Sequence, residues 1–170
     1  MKKLHLILFM VTGMLLMPCC SDEDEPSFVA GNIIVGFEKE VTLRQAYEFA
    51  NRYADSIGYV HGSYYYSNLP LDSLEYVANE IAIAGFPNKG VRIGFVSNRI
   101  EIIMDYGIPD DKSTLKEWIE LTERPDLQFE QFQAYKSMLL YIDPGTEKNF
   151  QNLHLNDTLI HYIELDYYIP

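Results

Sequence analysis

The chain has 170 residues, 48% of them hydrophobic, with 25 Asp and Glu against 13 Lys and Arg and a formal net charge of −12. That acidity excludes nucleic acid as a partner, because binding phosphates needs clustered positive charge, and the hydrophobic content excludes wholesale disorder. The length suits one domain, or two small ones sharing a core.

Lys2 and Lys3 form a positive start, and Leu4 to Met17 is an apolar run broken only by His5, Thr12 and Gly13. That is the pattern of an export signal over residues 1–19, too short for a stable membrane-spanning helix, which needs roughly 20 apolar residues. Cys19 and Cys20, at the end of the run, are the chain's only cysteines, so the folded body holds no thiol or disulfide. The junction resembles a bacterial lipoprotein signal, in which a small residue precedes the cysteine that is lipidated. Cys20 fits that position because Cys19 is small, whereas choosing Cys19 would put Pro18 before it; Met17 and Pro18 depart from the usual aliphatic and small residues. The acidic block Ser21, Asp22, Glu23, Asp24 and Glu25 resembles the surface-export tag of Bacteroidetes lipoproteins, and as a run of like charges it also reads as a flexible tether over residues 20–31. The expectation is a membrane partner reached through a lipid anchor, in the outer membrane and facing the cell exterior. Removing the leader takes away two lysines and no acid, so the mature chain is more acidic still.

From Asn32 to Phe37 the alternation of Ile33, Val35 and Phe37 predicts a buried strand. Thr42 and Gln45 form a capping box before a helical stripe of Leu43, Ala46, Tyr47, Ala50, Tyr53, Ala54 and Ile57, with Gly58 at the left-handed end position. Tyr59 to Leu69 predicts one aromatic-rich strand, ended by Pro70. Asp72 and Glu75 open a helix carrying Leu74, Val77, Ala78, Ile81 and Ala82 and closing at Gly85. Val91, Ile93 and Phe95, then Ile100, Ile102 and Met104, alternate across a short polar break and predict a hairpin. Thr114 and Glu117 open a helix bearing Leu115, Trp118, Ile119 and Leu121, stopped before Pro125. Residues 126–136 read as irregular or a short helix, with Leu127, Phe129, Phe132 and Tyr135 to be buried. A strand over Met138–Ile142, a turn at Asp143-Pro144-Gly145 and a short helix from Thr146 to Leu153 follow. The last strand sets Leu159, His161, Ile163, Leu165, Tyr167 and Ile169 on its apolar face and Glu164 and Asp166 among Ile160, Tyr162 and Tyr168 on the other.

The order is β-α-β, α-β-β-α, β-α-β. The outer six elements follow a ferredoxin-like split βαβ sandwich, helices on a mainly antiparallel sheet, in one α+β domain over residues 32–170. The block at about 71–136 is then an insertion that either extends the sheet or forms a small lobe. Ala30 to Phe37, Ile142 to Glu147 and Ile160 to Tyr167 resemble the opening and closing parts of subtilisin-type propeptide domains, and of lipoproteins of Bacteroidetes that carry such a domain. The resemblance implies the fold and, as an alternative function, a protease inhibitor or chaperone domain. Such domains inhibit by laying the tail after the final strand into the protease. With Pro170 one residue beyond Ile169, the resemblance is expected to concern the fold more than inhibition.

Nucleophilic hydrolysis needs a Ser or Cys beside an oriented His, and His61, His154 and His161 lie in no such motif. His161 reads as a hydrogen-bonded core residue. His154 and His161, seven residues apart across a turn, match no zinc spacing. The pairs Glu164 and Asp166, and Glu101 and Asp105, read as solvent-facing strand positions, and Gly85 to Gly90 lacks the phosphate-loop spacing. No catalytic residue, metal or cofactor is expected. Tyrosine is the sharper signal, 13 in all. Tyr64, Tyr66 and Tyr168 are candidates for an exposed platform that would bind a protein or a glycan; the competing reading pairs Tyr64 and Tyr66 across strands or with the inserted block. The function expected is a lipid-anchored, non-catalytic binding or assembly module. Alternatives are the propeptide-like inhibitor and, third, a glycan-active enzyme, which needs two carboxylates facing a cleft.

Overall fold

The computed structural model describes residues 27–86, 91–104 and 112–167; the leader, Cys20, the block Ser21–Glu25, Asp105 and Tyr168 lie outside the described residues. Within them the protein is α+β, with four helices and two antiparallel four-stranded sheets. In chain order the elements are β1 (Phe28–Phe37), α1 (Leu43–Tyr53), β2 (Ser56–His61), β3 (Tyr64–Ser67), α2 (Leu74–Ile83), β4 (Val91–Val96) and β5 (Arg99–Met104). They continue with α3 (Lys112–Thr122), β6 (Phe129–Gln131), β7 (Lys136–Tyr141), α4 (Glu147–His154) and β8 (Ile160–Tyr167).

The first sheet has the order β2-β7-β1-β8, each strand antiparallel to its neighbour. Helix α1 connects β1 to β2, which flank β7, and α4 connects β7 to β8, which flank β1. Ile33, Val35 and Phe37 are fully buried, as alternation at a strand's period of two requires. They meet the helices through Phe49 of α1, whose ring lies 5.8 Å from Phe37 and 6.2 Å from Phe150 of α4, both edge-on. Helix α1 starts on the full capping box, with Thr42 and Gln45 exchanging backbone and side-chain bonds.

The second sheet has the order β4-β5-β3-β6. Its inner face, with Tyr65, Ile100 and Ile102, packs on Trp118 of α3 and shares a core with Val77 and Ile81 of α2. The hairpin turns on Ser97 and Asn98, both at positive φ (50° and 66°), the two-residue geometry that matches strand twist. Helices α1 and α3 run antiparallel: Arg44 holds Glu123 in a bidentate pair near one end, and Lys112 Nζ donates to the Ala54 carbonyl at 2.7 Å near the other.

Several expectations are corrected. The strand expected from Tyr59 to Leu69 is two strands in different sheets. The break is at Gly62, at φ +76°, where a Cβ would stand 2.3 Å from the Tyr135 carbonyl. Gly58 ends no helix; α1 closes at Ala54 in extended backbone, and Gly58 sits inside β2 under the Tyr141 side chain. His161 is exposed, because β8 carries a bulge against β1. Gly36 faces Tyr162 and Phe37 faces Ile160, so His161 is the extra residue, and Ile160 takes the buried place expected for it. Phe132 and Tyr135, expected in the core, are about half exposed, and residues 129–131 form an edge strand. Asp72 lies in a short 3-10 turn ahead of α2, and Thr114 lies inside α3 rather than before it.

Candidate functional site

Alternation in β3 sends Tyr65 inward and Tyr64 and Tyr66 to the face away from α2 and α3. Burial pushes the Tyr65 phenol up to about 12, so it stays a neutral core group. Tyr64 is 36% exposed. Tyr66 lies opposite Glu101 of β5 and Glu130 of β6, and its ring is already engaged. The Arg99 guanidinium sits 4.9 Å from its centroid, and the Phe132 ring meets it at 5.9 Å and 86°.

Around Tyr66 the outer face is concave, with a volume of about 630 Å³ between the β4–β5 turn and the segment leaving β6. Arg99, Val96, Glu130, Phe132 and Gln133 join Tyr66 in lining it. Arg99 Nη2 donates to Asn68 Oδ1 at 2.6 Å and to Glu130 Oε2 at 2.9 Å. These partners, Arg99 first and then Asn68, hold the Glu130 carboxyl below the usual glutamate value, so it is ionised at neutral pH. Phe132 follows β6 and extends its ladder, donating its N–H to the Tyr64 carbonyl at 2.8 Å. It is 49% exposed, so the most open ring of the site is one that sequence reasoning put in the core.

Arg99, Glu130 and Phe132 are not among the site residues expected from sequence. The alternation of β5 marks Arg99 as an outward residue once its register with β3 is known, but a three-residue strand such as β6 leaves no periodic signal. Of the expected platform, Tyr64 and Tyr66 share this face, and Tyr168 lies outside the described residues.

The outer face of the first sheet carries other tyrosines. Tyr162 lies across Gly36, where a Cβ would stand 2.1 Å from its ring, and Tyr141 lies across Gly58. Among the described residues the histidines do not converge. His154 is packed among Phe49, Tyr53 and Phe150, and burial lowers its pKa. His161 stacks on Tyr135 at 4.5 Å and approaches Glu38 Oε1 at 3.2 Å, and His61 lies against Tyr59. Glu164 is exposed, and Asp166 accepts from Asn32 Nδ2 at 3.0 Å. Among the described residues no group of three or more His, Cys, Asp or Glu is placed to hold a metal ion, and no helix is long and apolar enough to cross a membrane.

Chemically, the concavity offers an aromatic surface, planar polar groups held in place and one carboxylate held ionised. Compared with family models, with curated proteins and with solved structures, the chain matches none.

Proposed function

We infer that this protein is a lipid-anchored, non-catalytic binding module at the outer surface of a Bacteroidetes-like outer membrane, and that its ligand sits in the concavity around Tyr66. The observation that carries the reading is the hydrogen-bonded set of Arg99, Glu130 and Asn68 beside the exposed Phe132, a polar network next to an open apolar ring. Preorganisation of this kind lowers the ordering cost of binding. We read the first sheet with α1 and α4 as a ferredoxin-like split βαβ sandwich, supported by the order β2-β7-β1-β8 and its two helical connections. The second sheet is then the insertion, opening at Gly62 and closing before β7.

The anchor rests on Cys20 and the acidic block after it. Two or three acyl chains on one cysteine hold a protein firmly, at about 0.8 kcal/mol per buried methylene. Expressed in a Bacteroidetes host, the native chain is expected in the membrane fraction and open to protease added to intact cells. Cys20→Ala is expected to lose the membrane; a variant that still partitions into detergent micelles refutes the anchor. A scan of ligands against the full chain, read by chemical-shift changes at Phe132 and Arg99, tests the site, and turnover of any glycan or peptide refutes the non-catalytic reading.

The propeptide-like reading has one observation in its favour. Two of the segments that carry the resemblance are in direct contact: Gly31 donates its N–H to Glu147 Oε1 at 2.6 Å, and its carbonyl accepts from Ile142 at 2.8 Å. Inhibition of a subtilisin-type protease at micromolar concentration is the outcome expected of that reading, and none is expected of the first.

A further inference from the structure

The concavity on the second sheet carries one cation and one anion, and they cancel: Arg99 and Glu130 are 2.9 Å apart. An anionic ligand would have to take Arg99 from Glu130 against a chain of net charge −12, and a cationic one would have to take Glu130 from Arg99. A neutral ligand leaves the pair intact.

The pair is also asymmetric in what it has used. Among the described residues the hydrogen bonds of Arg99 fall on Nη2 and those of Glu130 on Oε2, one from Arg99 and one from Asn68 Nδ2 at 3.4 Å. The Nε and Nη1 donors of Arg99 and the Oε1 acceptor of Glu130 are not consumed by these bonds. Two planar groups bonded to each other, one with donors and one with an acceptor left over, suit neighbouring hydroxyls, each of which both donates and accepts. Gln133 adds an amide with both functions on the same rim. Beside them the half-exposed Phe132 ring, with Val96 also exposed nearby, gives an apolar surface to stack on. A molecule with a flat C–H face and a rim of adjacent hydroxyls meets all of these conditions together, and about 630 Å³ lies within the size range of ligand pockets, roughly 300–1,000 Å³.

We propose that this concavity binds a neutral oligosaccharide, one sugar ring resting on Phe132 with its hydroxyls on Glu130, Arg99 and Gln133. The proposal rests on the binding-module reading and names the ligand class of the same site. It is tested on the full chain in detergent with neutral probes (glucan, mannan and xylan oligosaccharides), acidic probes (polygalacturonate and heparin fragments) and a random peptide library, by calorimetry at low and high salt. At least one neutral probe is expected to bind with little dependence on salt, since no net charge is neutralised. Phe132→Ala, at a half-exposed position, is expected to weaken it about ten-fold, the equivalent of about 1.4 kcal/mol, with the fold retained by circular dichroism and only a small drop in melting temperature. Glu130→Gln, which keeps the shape and removes the charge, is expected to weaken it as well. Binding confined to acidic probes, or neutral binding indifferent to both variants, overturns the proposal. Peptide binding that shifts Phe132 and Arg99 with no sugar bound overturns the proposal and leaves the binding module standing, and no perturbation of this site by any probe overturns both.

Discussion

Glu147 is 2% exposed, and its Oε1 accepts from the backbone of Gly31 at 2.6 Å and of Gly145 at 3.0 Å. These N–H groups, Gly145 first and then Gly31, hold its carboxyl below the ordinary glutamate value. Its folded pKa being the lower one, the ionised side chain contributes stability above the ordinary glutamate value, and that contribution is lost as pH falls through the lowered value. Glu147→Ala is expected to cost about 2 kcal/mol in urea denaturation at neutral pH, because it leaves buried N–H groups unpaired. Glu147→Gln is expected to cost less, and the wild type's lead over it should fade on acidification. The partner position is equally constrained. Gly31 is at φ +83°, and a Cβ there would stand 2.9 Å from the Ile142 carbonyl. Gly31→Ala is therefore expected to lose at least about 1–2 kcal/mol by the same measurement. Lys136 shows the reverse case, a fully buried ammonium bonded to the carbonyls of Ala134 and Lys39, with desolvation lowering its pKa.

Among the elements, α1 ties the two sheets together, and its bonds differ in worth. Thr42 caps it through its own hydroxyl and through Gln45. Thr42→Ala is expected to cost about 1 kcal/mol. Arg44 and Glu123 make a bidentate pair, but both side chains are more than 40% exposed, so solvent screens them. Arg44→Ala is expected to cost under about 1 kcal/mol, and less at high salt. The N-terminal Leu43 N–H finds its acceptor in Gln131 Oε1 of β6, 3.1 Å away. That bond joins residues 88 apart, so the same glutamine that closes the edge of the second sheet also caps the first helix.

For the whole molecule, the buried side chains form one cluster running from Ile33 and Val35 of β1 through Leu43 and Ala46 of α1 and Ile119 of α3 to Ile100 and Ile102 of β5. A continuous core predicts one cooperative transition. Trp118 is the only tryptophan and is fully buried on the second sheet's side, so its fluorescence reports on that half. Its urea curve should coincide with far-UV circular dichroism, and separate midpoints would show two independently folding parts. The capping box, the hairpin around Ser97-Asn98, the stop at Gly85 and the α+β class were legible in the sequence, because each depends on neighbours within a few residues or on a local period. The site was legible only in part. Tyr64 and Tyr66 could be assigned one face by alternation, whereas Arg99, Glu130 and Phe132 reach Tyr66 through strand pairings about 33 and more residues apart. By itself, then, the sequence determined periodicity, caps, turns and net charge, all of which are local or additive. Only the tertiary structure decided that the Tyr59–Leu69 stretch breaks at Gly62, that a bulge turns His161 outward, and which residues surround Tyr66. Each of those outcomes is set by a contact with a distant strand, and no local pattern encodes it.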